Sequence, residues 1–235
     1  MEQVAKVNRS ATVGRLPGRL LSRAFLQHSP EFVAPRLLGK LLVHVPHPGA
    51  QPIVGRIVEV EAYLGPHHQP PDPAAHSHRG PTPRNRVLFG PAGHAYVYAI
   101  YGRYFCMNVS CEPEGQAGCV LLRALEPVLG LSQMAANRGL APKAHKEVPA
   151  CQLTRGPGRL CQALGLTRPA HNGLDLLRSA SPLQIRDDGL PVAEVLVTPR
   201  IGIRHAVDLP LRFTLPSHPC VSGPRNFPGR VIFLD

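Results

Sequence analysis

The stretch PIVGRIVEVEAYL, residues 52–64, decides how this chain folds. Val, Ile and Tyr crowd it, and such residues suit the pleated, half-buried surface of a strand. Side chains alternate between the two faces of a strand. Alternation puts Val58, Val60, Ala62 and Leu64 on one apolar face and Ile57, Glu59, Glu61 and Tyr63 on the other. Two carboxylates beside a tyrosine on so apolar a strand admit two readings. Either that face is open to water, or it lines a cleft with an aromatic wall.

Outward from this strand, HAYVYAI (94–100), YFCMNVSC (104–111) and GCVLLRALE (118–126) read as three more. AEVLVTPRIGI (193–203), LPLRFTL (209–215) and GRVIFLD (229–235) return to strand. Helices are fewer. SPEFVAPRLLGKLL (29–42) offers Ser29 as N-cap and Pro30 at the first helical position, a bend at Pro35, and then a strand at KLLVHV. EPVLGLSQMAANRGL (126–140) reads as helical, anchored by Leu129, Met134 and Leu140, and GPGRLCQALGL (156–166) as a second short helix. Strands outnumber helices without βαβ alternation. The expectation is an α+β fold: one domain on a mostly antiparallel sheet with a few short helices.

The chain has 235 residues, 43% of them hydrophobic, enough for a sizeable core. No apolar run approaches the ~18 residues that span a bilayer. The first 20 residues lack a compact apolar stretch, so no secretory signal is expected. Residues 1–20 are expected as a basic arm, 21–222 as the main domain and 223–235 as a tail of uncertain placement. Net charge is +11, and of 26 basic residues only four are lysine: Lys6, Lys40, Lys143 and Lys146. Arginine matches phosphate with a planar fork, and this charge favours a polyanionic partner over a merely basic soluble enzyme. The six cysteines include no C-x-x-C pair and read as buried free thiols of a reducing compartment. His67-His68 and His76-x-His78 have no thiol nearby, so no metal site is expected.

Residues 65–94 are too rich in Pro and Gly for regular structure, yet they join two strong strands and carry Arg79, Arg84 and Arg86. So long an ordered loop is usually functional. Beyond it, AYVYAIYGRY gathers four of the five tyrosines, and Gly102 lets Tyr101 stand at a loop tip beside Arg103. A tyrosine there is a poor core residue and a good wedge between stacked bases. Asn108 on an apolar strand needs a partner. Arg123 among leucines either pairs with Glu59 or Glu126 or reaches a site.

GRIVEVEAYLG, AAHS, TPRN, HAYVYAIYGRYFCMN, CVLLRALEP and GPGRLCQALG, in this order over residues 25–220, resemble the alkyladenine (3-methyladenine) DNA glycosylase family. The resemblance implies a compact domain with a curved antiparallel sheet, and a monofunctional enzyme that flips alkylated or deaminated purines from double-stranded DNA. It then hydrolyses the N-glycosidic bond, without a cofactor. It implies Glu61 as the base that activates water, with Arg123 and the Ile201 backbone helping to hold that water. It implies Tyr63, His76 and Tyr98 as walls of the base pocket and Asn108 as the group that disfavours guanine's amine. Tyr101 would fill the gap in the duplex, with Arg103, Thr82 and Arg84 on the DNA. A monomer inside the cell, with the DNA, is expected. Arg103 stands where the family often has methionine. HHQPPDP is extra before His76, and Cys220 stands where many members have tryptophan. The alternatives are a non-catalytic nucleic-acid-binding module and a hydrolase of free modified nucleosides.

Overall fold

In a computed structural model, residues 16–140, 148–223 and 228–234 are described. Residues 1–15, and with them most of the expected arm, lie outside that set. The strand of residues 52–64 is the hub. It forms as β3, Ile53–Tyr63. Before it come β1 (Arg19–Leu20), α1 (Arg23–Leu26), α2 (Pro30–Leu37) and β2 (Leu41–His44). The Ser29 hydroxyl caps α2 by accepting from the Phe32 N–H, and Pro35 lies inside the helix. After β3 come β4 (Ala95–Ile100), β5 (Tyr104–Cys111) and β6 (Gly118–Leu129). Then follow α3 (Leu131–Asn137), α4 (Ala150–Thr154), α5 (Pro157–Leu164) and α6 (Arg168–His171). The chain closes with β7 (Leu183–Asp187), β8 (Glu194–Thr198), β9 (Arg212–Thr214) and β10 (Arg230–Phe233).

All pairings are antiparallel, in the order β1-β7-β2-β3-β6-β5-β4. One edge of β3 runs along β6. The other pairs first with β2 and then, from Glu59 to Glu61, with β9, which carries β8 and β10. The sheet therefore forks at the two glutamates and curls. The expected α+β domain is what forms. Two segments outside the expected main domain also join the sheet: Arg19–Leu20 as β1, and Arg230–Phe233 as β10.

Three expectations need correction. The helix read at 126–140 is confined to Leu131–Asn137, because β6 continues through Leu129, which pairs with Val54. Gly130, at φ 80°, makes the turn between them. Ile57 is not on the glutamate face; it packs in the main core with Val60, Ala62 and Leu64, while Val58 packs with Ala124 and Cys220 on the other side. The pairing register jumps from Ile57–Leu125 to Glu59–Ala124 and then to Val60–Leu122, so Val58 and Arg123 are bulged residues on facing strands. A bulge breaks alternation and re-aims a side chain. Finally, Cys151 and Cys220 are joined in a disulfide; the other four cysteines are free and buried. Folding places α4 against the segment before Ser222, a proximity that 69 residues of separation conceal.

Candidate active site

The sheet fork buries Glu59 and Glu61 completely. The open sheet face is therefore excluded, and each carboxylate has taken on hydrogen bonds in place of water. Glu61 Oε1 accepts from the Ile201 N–H at 2.7 Å and lies 3.1 Å from Arg123 Nη1; its Oε2 accepts from the Tyr63 hydroxyl at 2.9 Å. Arg123 Nη1 also reaches the Ile201 carbonyl at 3.5 Å. The Glu61 carboxylate, the Arg123 guanidinium and both backbone groups of Ile201 thus converge on one point.

Glu59 holds that arrangement from behind. Its Oε1 accepts from Nε of Arg123 and Nε of Arg212, each at 2.8 Å, and its Oε2 accepts from the Ser222 N–H at 2.6 Å. Two carboxylates and two guanidinium groups balance one another inside the fold. Burial works against the charge on Arg123, but the nearby Glu61 and Glu59 outweigh it and raise its pKa above the ordinary value. A second clamp fixes Ile201. Arg200 is bidentate to Asp72, the two side chains having no exposure, and donates to the Ala62 carbonyl with its guanidinium 4.6 Å from the Tyr63 ring centre.

A cavity of about 380 Å³ opens in front of this cluster. Its lining includes Tyr63, His76, Tyr98, Asn108, Arg123 and Ile201, while Glu61 lies behind that wall. Such a volume is that of a small-ligand pocket. His76 meets Tyr98 edge-on with ring centres 4.5 Å apart, and its Nδ1 lies 2.9 Å from the Tyr96 hydroxyl. Tyr96 stacks on Tyr98 and is almost fully buried, so it supports the wall while still reaching the cavity lining. Burial, and after it the Arg84 charge, lowers the His76 pKa, which leaves a neutral imidazole. Burial raises the Tyr63 and Tyr98 phenols well above the ordinary range and pushes Tyr96 up to about 12, so all three stay uncharged. The Asn108 amide donates to the Tyr96 carbonyl at 3.3 Å on the floor of the cavity.

At the rim, the β4–β5 turn lifts Tyr101 into solvent; the residue is 90% exposed. Its φ is 48° and that of Gly102 is 71°. Left-handed backbone at tyrosine is unfavourable, and such strain tends to persist where function needs it. Arg103 is exposed on this turn, and Thr82 and Arg84 are exposed on the loop that precedes β4. Asn85, buried, ties the Thr82–Arg84 turn down by accepting from the Thr82 N–H and donating to the His76 and Gly80 carbonyls.

Every pocket residue expected from the sequence reaches this cavity or the cluster behind it. Sequence reading missed Glu59's role, Arg212, Ser222, Arg200 and Asp72. Asp72 was the findable one, a lone carboxylate in a loop of prolines. Among the described residues, one group has metal-ligand spacing, His67, His68 and Glu112, and none of the three lines the cavity. No described helix is long and apolar enough to cross a membrane.

Comparison with known proteins bears on this geometry. The chain is 51% identical over 205 residues to a Koribacter versatilis protein, covering 87% of this chain and 94% of that one. It is 45% identical over 218 residues to one from Burkholderia cenocepacia, at 92% and 98% coverage. It is 49% identical over 199 residues to one from Methanoculleus marisnigri, at 83% and 94% coverage. All three have been assigned the name 3-methyladenine DNA glycosylase. The profile of methylpurine-DNA glycosylase matches residues 24–219, so the chain belongs to that family.

Proposed function

We propose that this DNA N-glycosylase rotates a damaged purine out of duplex DNA into the cavity of about 380 Å³ and hydrolyses its N-glycosidic bond with water activated by Glu61. The observation that carries the reading is the Glu61 carboxylate, fixed by the Ile201 N–H, Arg123 and Tyr63 at the back of an aromatic pocket. A water between Glu61, Arg123 Nη1 and the Ile201 carbonyl would give its proton to Glu61 as its oxygen attacks the sugar carbon. The bond to the base breaks, and the base leaves with the electron pair. The Glu61 charge also offsets the positive character that develops on the sugar. The product is an intact abasic site.

The neutral walls suit the substrate class named for the relatives. A 3-methyladenine base carries positive charge in DNA. The uncharged His76 and the phenol faces of Tyr63 and Tyr98 attract it, while the Arg123 charge at the back of the cavity is offset by Glu61 and Glu59. Asn108 would disfavour guanine, whose exocyclic amine faces the amide donor. Extruding a nucleotide costs a few kcal/mol. Tyr101, already displayed at the turn, would fill the vacancy and offset part of that cost, while Arg103, Thr82 and Arg84 meet the backbone. All of these groups come from one chain, so a monomer suffices, acting within the cell on its DNA.

Excision from duplex oligonucleotides bearing 3-methyladenine, hypoxanthine or ethenoadenine tests the proposal. Alkali-revealed abasic products are expected, without any borohydride-trapped protein adduct. Tyr101→Ala should lose more activity on duplex than on single strands. Equal loss on both would remove the wedge role.

A further inference from the structure

The extra residues after Gly65 place His67 and His68 against Glu112, at the far end of β5. His68 Nε2 lies 2.7 Å and His67 Nε2 3.1 Å from the same oxygen, Glu112 Oε1. Three ligand atoms of these residues fall within 4.8 Å of one another. Glu112 is 3% exposed and sits at φ 71°. Its second oxygen, Oε2, is buried with no hydrogen-bond partner among the described residues. Among the described residues, Glu112 forms ion pairs only with the two imidazoles and with no Arg or Lys. A buried carboxylate oxygen left without a partner is costly.

We propose that His67, His68 and Glu112 bind a zinc ion. Two imidazole nitrogens and one carboxylate oxygen are a zinc donor set, with the fourth tetrahedral position left to solvent. The nitrogen donors favour zinc over magnesium or calcium, which select oxygen. Bonds of about 2.0 Å place tetrahedral ligands roughly 3.3 Å apart, so the closer imidazole moves back by roughly 0.6 Å as the ion enters. His67 is partly exposed, which gives the ion a way in. The ion neutralises Glu112 and clips the loop to β5. That loop carries Asp72, the partner of Arg200, and leads to His76. The expectation that these histidines hold no metal is revised because folding supplies a carboxylate from 44 residues away. The inference stands on these three residues alone and is independent of the glycosylase reading.

The test uses the full chain without a histidine tag, stripped with chelator and incubated with zinc. Metal retained after gel filtration is counted by mass spectrometry, and melting temperature is read with and without zinc. The wild type should hold one zinc per chain and melt higher with it. His67→Ala and His68→Ala should lose both effects, as should Glu112→Gln. His205→Ala, at an exposed histidine outside the cluster, should keep both. If Glu112→Gln fails to fold, the two histidine variants decide alone. A wild type that retains no zinc, or retention that survives both histidine variants, overturns the proposal.

Discussion

Glu59→Gln probes the site most sharply, because the carboxylate it alters has no exposure and is saturated. The carboxylate takes the Nε–H of Arg123 and of Arg212 at 2.8 Å each, the Ser222 hydroxyl at 3.0 Å and the Ser222 N–H at 2.6 Å. A carboxamide has the same shape but only one accepting oxygen. Turned either way, its NH₂ faces donors: the two guanidinium groups, or the Ser222 amide. At least one buried donor loses its partner, at about 1–3 kcal/mol. The charge balance of the buried cluster also changes, from two carboxylates against two guanidinium groups to one against two. Breaking a buried ion pair costs about 3–5 kcal/mol. The two effects share the same contacts and do not add, so the expected loss of stability is about 3–5 kcal/mol. Urea unfolding followed by far-UV circular dichroism measures it; the chain has no tryptophan to report by fluorescence. Adding Arg212→Met removes one cation and should recover at least about 1 kcal/mol, a non-additivity expected of contacting residues. A single variant within about 1 kcal/mol of wild type, or a double variant that is simply additive, would refute the account of Glu59 as the anchor of Arg123.

Three further outcomes are expected. His44 and His171 form a buried chain: the Thr167 N–H donates to His171 Nδ1, the two Nε2 atoms meet at 3.1 Å, and His44 Nδ1 reaches the Leu164 carbonyl. Burial above all lowers the His44 pKa to about 4 and that of His171 below its ordinary value. Stability is then fully present above the unfolded imidazole's pKa and falls as pH drops from about 6.5 towards 4, by up to about 3 kcal/mol for His44. Unfolding curves across that range should be flatter for His44→Gln, and parallel curves would contradict this. Tyr101→Asn should melt no lower than wild type, since asparagine tolerates left-handed backbone, yet excise poorly from duplex; lower stability would mean that the Tyr101 ring packs on the fold. Iodoacetamide labelling of unreduced, denatured protein should modify four cysteines, because Cys151 and Cys220 are paired; six labels would contradict the pairing.

What could be read from the sequence had local causes. The strand around Val60 is legible because β-branched residues crowd it, and the Tyr101 tip because Gly102 follows it. Face assignment failed at Ile57 because a bulge at Val58 leaves no local mark; it depends on the partner strand. The helix at 126–140 was read too long because nothing in Glu126–Leu129 announces that β3 continues to pair with it. Glu59 could be noticed as an odd carboxylate, but its partners Arg212 and Ser222 lie 153 and 163 positions on. The same holds for Asp72 with Arg200, and for the two histidines with Glu112. The walls of the pocket are short-range features of single strands and loops. The charge network that positions them is made only by the closed sheet.

The central claim is that Glu61 activates the water. Single-turnover excision of 3-methyladenine and ethenoadenine from duplex DNA, by wild type and Glu61→Gln, tests it most directly, with lesion binding measured alongside. Glu61→Gln should bind the lesion duplex as wild type does and excise at least about a hundredfold more slowly, the contribution of a positioned general base. Excision by Glu61→Gln at the wild-type rate would contradict the account.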